Sequence, residues 1–312
     1  MTKDILYPDF ATAYRDILLN IMNRGEERKA RGFLAKEIRN FSISINGAGG
    51  NLFKNEVRSP DLRYLCGELA WYFAGMNDLD FISKYSKFWN KISDNGHSCN
   101  SAYGYLLFRD PDIGRGPMTQ WAWALESLIN DKDTRQAVIH FNRTRHQIFG
   151  VKDFPCTMYG VFSIRYDPMF KKNVLESDYV LDFSVFMRSS DSILGTTYDI
   201  PFFMLLQQQM AINVSKISFI NNPMRLGDFY YHTNSQHIYE RDFELAKKML
   251  KHNFYKDSTP PIGYSLINSE NGGLPSMNMV DLYYSIKNGE KRDYTDPFMK
   301  YVYENAIKEK SS

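Results

Sequence analysis

Phe154-Pro155-Cys156-Thr157 places a cysteine directly after a proline, whose ring fixes the approach of the backbone, at the mouth of a strand-like segment. A thiolate is the strongest protein nucleophile near neutral pH when a neighbouring cation favours it. Further along, Met187-Arg188-Ser189-Ser190-Asp191-Ser192-Ile193-Leu194-Gly195 packs a guanidinium, hydroxyls and an acid before a glycine turn. That combination can clamp an oxyanion through forked guanidinium bonds. Glu68 lies among Leu65, Leu69, Ala70, Trp71 and Phe73, and an apolar cleft would raise its pKa toward general acid/base work. His237 and Tyr239, at i and i+2, would share one face of a strand and offer a pair of hydrogen-bonding groups. Arg31 and Arg135 add two more cations. Each signal has an ordinary structural counterpart: a small buried thiol, a capped turn with a surface ion pair, a solvated glutamate, a satisfied His/Tyr pair and solvated arginines.

The elements that must hold these residues are legible from periodicity. Tyr14, Ile17, Leu18 and Ile21 give an amphipathic helix over about Phe10 to Asn23. The charged stretch Arg24 to Gly32 reads as a loop, and Phe41, Ile43 and Ile45 mark a strand over Ile38 to Ile45, stopped by Asn46-Gly47-Ala48-Gly49-Gly50. Helices are expected over Asp61 to Gly75, Met118 to Asn130 and Ile200 to Ile212, with a turn at Gly114 to Pro117. Strands are expected over Gln136 to Phe141, Met158 to Tyr166 and Tyr179 to Met187, the last alternating Leu181, Phe183 and Val185. A Pro/Gly-rich tail from Ser258 ends in a short helix near Asp296 to Lys308. The expected fold class is α/β (α+β), one domain over the whole chain, with a mixed sheet and long helices.

Composition narrows the function. The chain has 312 residues, 38 Lys+Arg against 36 Asp+Glu and a formal charge of +2, which argues against a dedicated basic nucleic-acid face. With 22 Phe, 21 Tyr and 4 Trp the chain is not globally disordered. The cysteines, Cys66, Cys99 and Cys156, are odd in number and lack CxxC spacing, so neither a disulfide framework nor a thiolate metal site is expected. A cytoplasmic setting is the expectation, because no signal peptide is evident at Met1 to Leu6 and no apolar run reaches the ~20 residues of a membrane helix.

Taken in order, Gly67-Glu68-Leu69-Ala70-Trp71-Tyr72, Trp89, Tyr103-Gly104, Asp133-Thr134-Arg135, Pro155-Cys156, Arg188-Ser189-x-Asp191-x-x-Leu194-Gly195, Gly227-Asp228-Phe229 and His237-Ile238-Tyr239 resemble the thymidylate synthase family. The resemblance runs from about Ala11 to Leu250 and implies the fold of that family, with a mixed sheet at a homodimer interface. It implies that Cys156 adds to C6 of a pyrimidine nucleoside monophosphate, that Glu68 manages protons and ordered water, and that methylenetetrahydrofolate is the one-carbon co-substrate. It places Arg188, Ser189 and the early-loop Arg31 on the 5′-phosphate, with Arg135 donated across the dimer. His237 and Tyr239 would meet the sugar 3′-hydroxyl, Tyr103 the substrate, and Asp191 and Trp89 the folate. The tail over 251–312 has no evident counterpart.

The departures from the family pattern are informative. Gln136 stands where a second inter-subunit arginine is usual, and Asp199 where synthases carry the asparagine that reads uracil. An ionised carboxylate accepts but cannot donate, which suits the exocyclic amine of cytosine and disfavours uracil by about 1–3 kcal/mol. Thr157 replaces a usual histidine, Met187 a frequent glutamine, and Ile92 a frequent second tryptophan. Together with Asn100-Ser101-x-Tyr103-Gly104 and Asp153-Phe154-x-Cys156-Thr157 these resemble the bacteriophage deoxycytidylate hydroxymethylases, while Gly67-Glu68-Leu69-Ala70-Trp71-Tyr72 and Lys29-Ala30-Arg31-Gly32 look more like bacterial cytidylate hydroxymethylases. The implied activity is folate-dependent hydroxymethylation of C5 in dCMP or CMP. The alternative is a thymidylate synthase or related methyltransferase acting on dUMP or dCMP.

Overall fold

A computed structural model describes residues 5–30, 32–110, 118–168, 177–217, 223–263 and 276–309. In chain order its elements are β1 (Leu6–Tyr7), α1 (Phe10–Arg24), β2 (Glu26–Ala30), β3 (Phe33–Asn46), β4 (Leu52–Lys54), α2 (Leu62–Phe73), α3 (Leu79–Ile82), α4 (Phe88–Ile92), α5 (Tyr103–Phe108) and α6 (Gln120–Asn130). They continue with β5 (Val138–His140), β6 (Thr157–Tyr166), β7 (Tyr179–Met187), β8 (Ser190–Asp191), α7 (Thr196–Ile217), β9 (Arg225–Tyr239), α8 (Phe243–Leu250), β10 (Tyr255–Asp257), α9 (Met277–Asn288) and α10 (Pro297–Ala306). The chain forms two compact units: Met1–Pro60, Cys156–Gln208 and Met224–Thr259 make the first, and Asp61–Pro155, Gln209–Pro223 and Pro260–Ser312 the second.

The first unit is built on a mixed sheet in the order β1-β3-β9-β7-β6, with β2 on β3 and β8 on β9. β3 runs antiparallel to β9, β9 parallel to β7, and β7 antiparallel to β6. Asp9 caps α1 by accepting from the Thr12 amide at 2.8 Å, and α1 buries Phe10, Tyr14, Ile17, Leu18 and Ile21. Tyr14 stacks on Phe53 at 4.4 Å, and Phe162 of β6 on Phe183 of β7 at 4.1 Å. The first part of α7 buries Ile200, Phe202, Phe203, Met204, Leu205 and Leu206, matching the unbroken apolar run of its sequence.

The second unit gathers around α2. Asp61 caps this helix through the Arg63 and Tyr64 amides, and Gly75 closes it at φ 66, its N–H donating to Tyr72 O. Every residue from Leu65 to Phe73 is buried, because α5, α9 and α10 pack around the helix. Gly104 of α5 lies against the backbone of α2: a Cβ there would stand 1.7 Å from the Tyr72 carbonyl oxygen. Only glycine fits that approach.

Most expected elements are present, with β7 spanning the residues expected of it. One reading is corrected: the charged stretch after α1 is not a loop but β2, paired antiparallel with β3 from Glu26↔Glu37 to Ala30↔Phe33. Its run of Glu and basic side chains has no apolar alternation, since it lies at a solvated edge where the backbone ladder, not burial, defines the strand. The tail contains α9 as well as α10; Ser276 caps α9 and Gly289 at φ 69 ends it. The turn expected at 114–117 lies outside the described residues. No helix among the described residues is long and apolar enough to cross a membrane.

Replacing Gly104 by alanine is expected to lower stability by about 3 kcal/mol, because the clash is with backbone that α2 holds in place. Urea unfolding followed by circular dichroism checks this, and an unchanged midpoint would show that the two helices separate readily.

Candidate active site

In the first unit the strand register places the thiol beside a cation. Thr157, the first residue of β6, pairs with Met187, the last of β7, so the residues just outside the ladder, Cys156 and Arg188, are neighbours. The Arg188 amide donates to the Cys156 carbonyl at 2.9 Å, and a guanidinium nitrogen of Arg188 lies 3.5 Å from Sγ. A guanidinium next to sulfur favours the thiolate. A register shift between Thr157 and Tyr159 bends the start of β6, the kind of bulge that re-aims a side chain at a site. Behind the thiol, Thr157 Oγ1 donates to Met187 Sδ at 3.0 Å. Cys156 is half-buried, whereas Cys66 and Cys99 are buried and their thiols are pushed up by desolvation, Cys99 to about 12.

β8 brings the arginine-serine-aspartate segment to β9, pairing Ser190 with Gln236 and Asp191 with His237. His237 and Tyr239 share a strand face as expected, with ring centroids 4.9 Å apart and planes at 82°. Asp191 Oδ1 accepts from the amides of Ile193 and Leu194 at 2.8 and 3.3 Å, while Oδ2 lies 3.6 Å from Arg241. Burial pushes the Asp191 carboxyl above its ordinary range, against those amides and the field of His237. Ser189 and Asp199 are half-buried, and a Cβ on Gly195 would lie 3.3 Å from Asp199 Oδ2, so the glycine leaves that carboxylate its space.

Beneath these groups runs a buried polar network. Tyr231 donates to Ser190 Oγ at 2.8 Å, Ser190 and Thr196 hydroxyls are 2.8 Å apart, and the Gln236 amide donates to Ser192 and Thr196 at 2.7 and 2.8 Å. Burial keeps the Tyr231 phenol neutral, and the charges of Asp199 and Cys156 reinforce that. The phenol therefore senses both the Cys156 thiol and the Asp199 carboxyl.

The second unit carries the other acid. Glu68 is 6% exposed. Its Oε1 accepts from Tyr64 at 2.7 Å and from Tyr72 at 3.3 Å, and Trp89 donates through Nε1 to the Tyr64 oxygen at 3.2 Å. Burial pushes the Glu68 carboxyl up to about 7, while the two phenol hydrogen bonds pull it down. Tyr103 is buried, stacked on Tyr72 at 5.4 Å and edge-on to Phe141 at 5.1 Å. Trp89 is buried edge-on against Trp71 at 5.4 Å.

Arg135 and Gln136 are exposed after the turn that Asp131 caps through the Asp133 amide. Arg31 lies outside the described residues. The structure thus brings Arg188 to Cys156, lets Cys156 and Asp199 both act on Tyr231, and aligns Asp191, His237 and Tyr239 along β8 and β9; Glu68, Tyr103 and Trp89 gather through Tyr64 and Tyr72. Sequence reasoning missed Tyr64 and Tyr72, although their i−4 and i+4 spacing from Glu68 puts them on its helix face. It also missed Tyr231 and Gln236, whose role depends on strand register and has no local signal. Among the described residues no cluster of His, Cys, Asp and Glu could hold a metal ion.

A family model described as thymidylate synthase matches residues 12–279. Among solved structures, the chain is similar to the thermostable thymidylate synthase A from Bacillus subtilis, at 16% identity with a TM-score of 0.62, over 80% of this chain and 86% of that one. At such identity the likeness speaks for the fold.

The buried Glu68 makes stability depend on pH. Its carboxyl titrates near 7 in the folded chain against an ordinary 4.5, so ionisation is harder in the folded state. Stability is complete below the unfolded value and falls as pH rises toward 7, by about 3 kcal/mol in all. Glu68→Gln keeps an acceptor for both tyrosines without the charge. Thermal melts are expected to show it more stable than the native chain at about pH 8 and equal near pH 4; equal melting at both would contradict a buried, hard-to-ionise carboxyl.

Proposed function

Because the chain belongs to the thymidylate synthase family, in which a folate donor modifies C5 of a pyrimidine nucleotide, we propose that it hydroxymethylates C5 of a cytosine 5′-monophosphate, dCMP or CMP. The observation that carries this reading is Asp199, an acceptor-only group when ionised, close enough to the same buried phenol as Cys156 for both charges to act on it. The exocyclic amine of cytosine supplies the hydrogen bond that the carboxylate needs; the O4 of uracil would face it as a second acceptor.

The chain's own groups divide the chemistry. The Cys156 thiolate adds to C6, and Arg188 stabilises the thiolate beforehand. The guanidinium has five N–H donors in a fork that suits a phosphate as well as the sulfur, with Ser189 next in the chain. His237 and Tyr239 offer polar edges to the sugar 3′-hydroxyl. Asp191 fits a folate: Oδ1 is engaged by two turn amides, while Oδ2 has lone pairs for the N–H edge of a pterin. Trp89, which the resemblance places at the folate, is held edge-on against Trp71 with its N–H on Tyr64. Methylenetetrahydrofolate would supply the one-carbon unit at the oxidation level of formaldehyde. Once a methylene group stands on C5, water bonds to its carbon and gives its proton to Glu68. The electron pair returns through C5 and C6 to expel the Cys156 thiolate.

A homodimer belongs to the same proposal. On the outward face of β6, β7 and β9, Tyr159 stacks on Phe186 at 4.5 Å and Phe186 on His232 at 4.6 Å, all half-exposed. Such an aromatic face suits a second copy, and Arg135 has the exposure needed to reach a partner's phosphate.

Incubation with methylenetetrahydrofolate and each of the cytosine and uracil monophosphates, in both sugar forms, tests the reading by product mass. A 5-hydroxymethylcytosine nucleotide without dihydrofolate is expected, and Asp199→Asn is expected to shift preference toward uracil by about tenfold or more. Stoichiometric dihydrofolate would establish the methyltransferase alternative instead.

A further inference from the structure

Tyr64, Glu68 and Tyr72 stand one turn apart on a single face of α2, and their hydrogen bonds have a forced direction. The Trp89 indole is a donor only, so at 3.2 Å the Tyr64 oxygen is the acceptor. An ionised carboxylate is an acceptor only, so the one proton of Tyr64 goes to Glu68 Oε1 at 2.7 Å. Tyr72 reaches the same oxygen at 3.3 Å, and among the described residues no hydrogen bond is made to Oε2. Both donors are pinned from behind. The ring of Tyr72 stacks on Tyr103 at an interplanar angle of 20°, and the indole that aims Tyr64 is wedged edge-on against Trp71 at 66°.

We propose that Tyr64, aimed by Trp89, is a positioning residue that commits Oε1 of Glu68 to a fixed phenol pair and leaves Oε2 as the oxygen that exchanges protons. An oxygen already accepting two O–H donors is a poor place for a further proton, so protonation falls on its partner. The same two bonds stabilise the anion against the desolvation that burial imposes, which brings the acid near neutrality, where proton transfer in both directions is efficient. Among the described residues, the titratable groups facing the carboxyl are Tyr64 and Tyr72 on its own helix; α4 contributes the non-ionising Trp89, and α5 contributes Tyr103, which meets Tyr72 ring to ring.

The inference rests on Glu68 being the proton-handling group of the reading above, and two readouts keep the claims apart. Infrared titration of the substrate-free protein, with Glu68→Gln as the blank, reads the carboxyl directly. The native midpoint is expected near 7. Tyr64→Phe is expected to move it upward by about one pH unit, the effect of removing one hydrogen bond to a charged group. Trp89→Phe should move it the same way by less, and Tyr72→Phe, with its longer bond, also by less than Tyr64→Phe. In turnover, the pH limb of Tyr64→Phe should shift with the infrared midpoint while KM stays near native and kcat falls about tenfold. An unmoved midpoint in folded Tyr64→Phe overturns the proposal, as does an equal or larger shift in Tyr72→Phe. Native turnover in Glu68→Gln would instead sink the functional reading, whatever the infrared midpoints show.

Discussion

The backbone hydrogen bond from Arg188 to Cys156 is the constraint on which the first unit's chemistry depends. It exists because β6 begins where β7 ends, and that register follows from the alternation that buries Phe162, Phe183 and Val185 together. A slip of one residue would turn every side chain to the opposite face of the sheet and part the guanidinium from the sulfur. β8 continues from the same point, so the serine and aspartate after Arg188 are carried to β9 and meet His237 without any further device. One strand pairing therefore sets the Cys156 thiol, the Arg188 guanidinium and the polar edge beside them.

The second unit solves the opposite electrostatic problem. Around Cys156 a fixed positive charge favours an anion; around Glu68 burial disfavours one, and the Tyr64 and Tyr72 phenols moderate that cost. In the proposed reaction these opposite settings answer two demands, a thiolate to add to a ring and a carboxyl able to move protons in both directions. The tyrosines and Trp89 that condition Glu68 belong to the packing of α2, so its acidity is a property of that helix's surroundings and is coupled to its stability.

Much of this was legible in the chain itself. Cys156 and Arg188 stood out by residue type, and the strands beside them by alternation. Asp199 stood out only through the resemblance, because an acid in the first turn of a helix is otherwise unremarked. The edge strand β2 was not legible, since Glu26 to Lys29 carry charge and no apolar period. Nor was the relation between Thr157 and Met187. In sequence they are two separate departures from a family pattern, thirty positions apart; in the fold they are register partners whose hydroxyl and sulfur touch. Tyr64 and Tyr72 were within reach of helix spacing, but the direction of their hydrogen bonds needed Trp89, which no spacing ties to them.

The central claim is that Cys156 forms a covalent bond to C6 of a cytosine nucleotide. A cytosine monophosphate fluorinated at C5 tests it most directly, because fluorine cannot leave as the ring hydrogen does and the adduct is held. After incubation with this analogue and methylenetetrahydrofolate, peptide mass mapping should find the nucleotide on Cys156, with far less adduct from the corresponding uracil analogue. An adduct on Cys66 or Cys99, or equal trapping of both bases, would contradict the account.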